Sequence, residues 1–97
     1  MTTYILLINW TDQGIRTVKD SAKRLDAARN LLGSMGGSFD KFYLTMGEYD
    51  MAAICEAPDD RVMARFTLTL AMAGNVRTKT LKAFSEVNYR DIIGSLS

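Results

Sequence analysis

The stretch Tyr4–Trp10 reads YILLINW, and it narrows the possible folds more than any other part of the chain. Its short length, isoleucines and aromatic ends mark a β-strand. Side chains alternate along a strand, so Tyr4, Leu6, Ile8 and Trp10 point one way and Ile5, Leu7 and Asn9 the other. Both faces are apolar. Such a strand must be covered twice, once from each side of its sheet.

The following segments supply the first cover. Thr11–Gly14 (TDQG) is turn material, in which Asp12 serves as a helix N-cap or turn residue. From Ile15 a helical period begins, with Val18, Ala22, Leu25, Ala28, Leu32 and Met35 on one stripe. Asp20 and Ser21 offer a second cap, which allows a short turn before a longer helix, and Gly36-Gly37 closes it. Phe39–Met46 and Tyr49–Ala57 read as the second and third strands, joined by a hairpin turn at Gly47-Glu48. In the second strand Phe42, Leu44 and Met46 share a face, opposite Lys41, Tyr43 and Thr45.

Pro58 stops the third strand, and Asp59 and Asp60 start a helix that runs to Ala73 with Val62, Phe66, Leu70 and Ala73 on its stripe. Gly74-Asn75 closes it. Val76–Phe84 is the fourth strand, after which Ser85 caps a last short helix with Tyr89, Ile92, Ile93 and Leu96 as a docking face. The order βαββαβ plus a C-terminal helix predicts an α+β, ferredoxin-like plait, with a four-stranded antiparallel sheet in the order 4-1-3-2. Its 97 residues contain no linker or fixed-period repeat, so residues 1–97 read as one domain.

Composition narrows the chemistry. The chain has no histidine, which removes histidine-based triads, Cys-His pairs and the usual catalytic zinc sets. Neither GxxxxGK[ST] nor GxGxxG occurs, so no nucleotide phosphate loop is expected. Asp12, Glu48 and Asp50 offer oxygen ligands without an EF-hand spacing; no metal and no cofactor are expected. A net charge of +1 gives no field suited to a polyanion or an anionic membrane. Arg77, Lys79 and Lys82 make the fourth strand basic, but the paired strand aromatics of RNA-binding plaits are missing, so nucleic acid is not an expected partner. The lone Cys55, between Ile54 and Glu56, reads as a buried small hydrophobe, and the methionines read as core fillers. That cysteine usage, without a signal-like leader or a bilayer-length apolar segment, predicts a cytoplasmic protein.

Four motifs, INWTDQG (Ile8–Gly14), YLTMGEYD (Tyr43–Asp50), EAPDD (Glu56–Asp60) and GNVRT (Gly74–Thr78), resemble those of the GYD-domain family. The Gly-Tyr-Asp motif for which that family is named is present as Gly47, Tyr49 and Asp50, with Glu48 inserted. The resemblance spans nearly the whole chain. It implies a ferredoxin-like domain of the dimeric α+β barrel kind, and it implies no activity, because the family has no established one.

In a 4-1-3-2 sheet the end of the first strand, the hairpin turn between the second and third strands and the start of the fourth strand share one edge. Asn9, Trp10, Asp12, Tyr49, Asp50 and Arg77 gather there and form the candidate ligand-binding edge. Asp50 is either a general base or a group that orients a substrate hydroxyl, or else a turn cap or an ion-pair partner of Arg77. Proton chemistry would need its pKa raised, and a neighbouring arginine lowers it. Tyr49 offers a phenol proton and Arg77 an anion site, yet turns and caps recruit Asp and Asn for backbone reasons alone. No catalytic residue is assigned.

The second cover remains to be found. Four central side chains on the bare face would expose on the order of 400 Å² of apolar area, worth about 10 kcal/mol at ~25 cal/mol per Å² before association costs. A homodimer or larger homo-oligomer that stacks sheet on sheet supplies the cover, and the terminal helix is the rival. Two functions follow: a homo-oligomeric barrel that binds a small organic molecule, or a non-enzymatic assembly or regulatory module whose sheet face serves only oligomerisation.

Overall fold

The strand with two apolar faces becomes a central strand. The computed structural model describes residues Met1–Ser97. In chain order it has β1 (Thr2–Trp10), α1 (Asp12–Arg16), a 3-10 turn (Val18–Asp20), α2 (Ser21–Ser34), β2 (Ser38–Leu44), β3 (Met51–Ala57), α3 (Asp60–Met72), β4 (Val76–Ala83) and α4 (Glu86–Gly94). The sheet order is β2-β3-β1-β4, with every neighbouring pair antiparallel. This is the predicted ferredoxin-like plait, read from the opposite edge.

Register fixes what each face carries. Tyr4 lies opposite Cys55, Leu6 opposite Ala53 and Ile8 opposite Met51. These side chains turn toward the helices and join Leu32, Phe39, Met63 and Phe66 in one buried core. Small residues in β3 (Ala53, Cys55 and Ala57, all essentially without exposure) leave room for the helices to approach. On the reverse face Ile5 pairs with Ile54 on one side and Leu81 on the other, and Leu7 pairs with Ala52 and Lys79. No element of the chain packs over them.

Several boundaries differ from the sequence reading. Thr11, not Asp12, caps α1: its hydroxyl accepts the Gly14 N–H at 3.0 Å, and Asp12 is the first helical residue. The segment after it divides at Val18–Asp20, as the second cap at Asp20-Ser21 allowed. β2 stops at Leu44, and Met46 is fully exposed in the turn rather than on the strand's apolar face. A register shift between Phe39 and Lys41 leaves Asp40 as the extra residue. Strict alternation puts Phe39 and Phe42 on opposite faces, but the bulge returns both to the core face, opposite Cys55 and Ala53. There Phe39 meets Phe66 edge to face at 6.3 Å. Of the methionines, Met51 and Met63 are buried as core fillers, whereas Met72 is exposed.

The terminal helix forms without docking. Ser85 Oγ accepts the Asn88 N–H at 3.2 Å, as its cap position predicts. No residue of α4 is buried, and Tyr89, Ile92, Ile93 and Leu96 remain between 44% and 67% exposed. A chain of this length folds to a radius of gyration of about 13 Å when compact; here it is 14.7 Å, with a long axis of 52 Å. α4 projects from the domain and leaves the reverse sheet face open.

Candidate functional site

The predicted edge is a hydrogen-bonded junction. The Asp50 N–H donates to Asn9 Oδ1 at 2.8 Å and to the Ile8 carbonyl at 3.1 Å. In return the Trp10 N–H donates to Asp50 Oδ2 at 3.0 Å, and Asn9 Nδ2 donates to the Glu48 carbonyl at 3.4 Å. Thr45 closes the turn from the other side, with its N–H on the Asp50 carbonyl at 2.8 Å and its hydroxyl on the Tyr49 carbonyl. Gly47 adopts φ +123°, which is why glycine opens the Gly-Tyr-Asp motif. Asn9 and Asp50 thereby satisfy the strand-end groups where β1 leaves the sheet.

The other predicted residues stand around this clamp. Arg77 lies opposite Asn9 in register, is exposed, and makes no ion pair with Asp50; the two salt bridges of the chain are Lys82–Asp60 and Arg90–Glu86. Its guanidinium therefore lies free at the rim. The Tyr49 ring faces Lys79, whose Nζ sits 5.7 Å from the ring centroid. Asp12 is exposed on the first turn of α1 and contributes no hydrogen bond to the junction.

A second junction ties the TDQG turn to the turn before β4. The Thr11 N–H donates to the Asn75 carbonyl at 3.0 Å, and its hydroxyl donates to the Gly74 carbonyl. Gln13 Nε2 reaches the Ala73 carbonyl and Asn75 Oδ1, each at 3.1 Å. Gly14 packs so closely that a Cβ there would lie 1.9 Å from the Asn75 oxygen. A third junction, at the opposite end of the sheet, joins Tyr4 to Asp60 at 2.6 Å and Asp60 to Lys82 at 3.1 Å. Burial, with the Asp60 hydrogen bond, pushes the Tyr4 phenol up to about 12, and the same bond with Lys82 lowers the Asp60 carboxyl. Burial likewise pushes the Cys55 thiol up to about 12, which fits an inert core residue.

A deep concavity lies on the helix side of the sheet. It is a cleft of about 580 Å³ between α2, the end of α3 and the strands beneath, with Trp10, Leu25, Leu44, Met51 and Leu70 in its walls. Fifteen of its nineteen lining residues are apolar, so it suits a hydrophobic occupant. Trp10 is the predicted edge residue that belongs to it, and Asn75 lines it as well. Sequence reading gave no sign of this cleft. Val18, Ala22 and Leu25 were legible as an apolar stripe, but their failure to close fully against α3 is a matter of helix placement.

The four motif blocks are thus the three junctions that hold loops to the sheet. The GYD domain model matches residues 4–93. The chain belongs to the GYD domain family. This GYD protein is also similar, at 34% identity over 84 residues, to the "Glutamine synthetase and cystathionine beta-lyase binding protein" of Thermus thermophilus, a match that covers 86% of this chain and 88% of that one. Two crystal structures share its fold. One, of a protein from Thermus thermophilus, has a TM-score of 0.55 at 23% identity and covers 88% of this chain and 95% of its own. The other, the leucine response regulatory protein of Mycobacterium tuberculosis, has a TM-score of 0.57 at 15% identity and covers 87% of this chain and 51% of its own.

Proposed function

We propose that this GYD protein is a self-associating binding module: two copies stack their open sheet faces, and the resulting particle binds a metabolic enzyme. The observation that carries the reading is the uncovered row Ile54–Ile5–Leu81 with Leu7 and Ala52 beside it, which no element of the chain shields. Burying that row against its own copy removes apolar area from water on both sides. The name of the Thermus relative supports an enzyme as the further partner. The polar edge is consistent with this, since Asn9, Trp10 and Asp50 already satisfy one another.

Light scattering with the Leu7→Glu variant tests the self-association. The wild-type particle is expected to have at least twice the chain mass, and the variant to have a smaller mass with an unchanged far-UV spectrum. Wild-type protein that is monomeric at every concentration would sink the reading. Biosensor titration against glutamine synthetase and cystathionine β-lyase from the same organism tests the second half.

A second reading is favoured by the cleft of about 580 Å³, a volume within the range that holds small organic ligands. In it an apolar molecule enters beside Trp10, with Asn75 as a polar group in the wall, while Asn9, Asp12, Tyr49, Asp50 and Arg77 stand outside the cleft.

A further inference from the structure

We infer that the cleft between α2 and α3 is filled by the α4 helix of a second copy of this chain. The inference rests on the self-association proposed above and adds a second, separate contact to it.

Three observations converge. First, Tyr89, Ile92 and Ile93 follow the i, i+3, i+4 spacing by which an amphipathic helix is anchored in a groove, Leu96 follows just past the helix end, and all four are exposed. Second, the cleft is an open apolar trough walled by helices, and its one charged lining residue, Arg24, is held at the mouth by the carbonyls of Thr17 and Gly14. Arg24 is the cation that an α4 with Asp91 as its net charge would meet there, since Glu86 and Arg90 pair with each other.

Third, the chain cannot fill its own cleft. The cleft runs to the Trp10–Val76 end of the sheet, and α4 departs from Ala83 at the other end. The eight residues of β4 put these ends roughly 23 Å apart, since each step of a strand advances about 3.3 Å. The nine residues of α4 make a rod only about 13 Å long. Phe84 and Ser85 alone link the two elements, so a folded-back α4 ends short of the Trp10–Val76 end of the trough. An α4 that reaches the Trp10 end of the trough therefore comes from another copy. Because the cleft and the open face are on opposite sides of the sheet, sheet stacking makes a pair and α4 exchange joins pairs.

The experiment uses the full chain with Ala22→Cys, which lines the cleft, and Ile93→Cys on α4. Cys55 is buried and stays silent. Protein made with light and heavy nitrogen is mixed, refolded together and oxidised, and the disulfide-linked peptide pair spanning positions 22 and 93 is read by mass spectrometry. Mixed light–heavy linkage is expected. Linkage confined to one isotope, or absent, overturns the inference.

Trp10, the single tryptophan, is an independent reporter inside the cleft. Ile92→Glu/Ile93→Glu is expected to red-shift its emission and to reduce the scattering mass to that of the Leu7-dependent pair. An unmoved emission overturns the inference, as does a small molecule found bound beside Trp10 in both proteins. If the mass stays that of a pair while the cross-link fails, α4 exchange is lost and sheet stacking stands. If wild type is a lone chain, both fall.

Discussion

At Asp50 a carboxylate and a backbone N–H are both committed to the end of β1, through Trp10 and Asn9. Truncation by Asp50→Ala leaves the half-buried Trp10 N–H without its charged acceptor and is expected to lower stability by about 1–2 kcal/mol. Urea unfolding reads this as a lower midpoint at constant slope; an unmoved midpoint would return Asp50 to the candidates for ligand contact. Strand direction was enough to bring Asn9, Trp10, Tyr49, Asp50 and Arg77 to one edge from sequence. Which of them touch was not legible, because side-chain reach is not encoded in a period of two. Tyr4 and Cys55 carry the alkaline limit. Each has a folded pKa raised to about 12, so each keeps its proton when the unfolded chain has lost it. Their contribution is complete below the unfolded values, about 8.5 for a thiol and 10 for a phenol, and is lost as pH rises toward 12. Asp60 has the opposite sign: its lowered carboxyl supports the fold above about pH 4 and ceases to as pH falls further. Thermal melts across pH should therefore fall at both ends, with Tyr4→Phe flattening the alkaline limb and Asp60→Asn the acid limb.

Among the elements, two glycines separate close packing from conformational slack. Gly14 in α1 abuts the Asn75 carbonyl, so Gly14→Ala forces backbone apart and is expected to cost about 2 kcal/mol or more. Gly33 in α2 has open space where a Cβ would stand and ordinary helical backbone, so Gly33→Ala is expected to stabilise by about 0.5–1 kcal/mol. Calorimetric melts of the two variants should move in opposite directions, and parallel shifts would contradict the packing of α1 on the β4 turn. Helix stripes and caps made most elements readable in advance. The β2 bulge was not, because Asp40 is unremarkable locally and becomes the extra residue only through Phe39 and Phe42 both packing on the core side.

For the whole molecule, the decisive fact is that a chain of 97 residues leaves one sheet face and one amphipathic helix without partners. If copies supply those partners, unfolding is linked to association and the melting temperature rises with protein concentration. Scans over a hundredfold concentration range should show that rise in wild type and a shallower one in Leu7→Glu; a concentration-independent melt in wild type would contradict it. The sequence alone determined the order of elements, the sheet topology and the two apolar faces of β1, because periodicity, caps and turn residues act within a few positions of one another. The tertiary structure alone decided that α4 stands away from the sheet, that Arg77 leaves Asp50 unpaired, and that α2 and α3 part to leave a cleft. Those outcomes depend on distances between residues far apart in the chain, which no local pattern records.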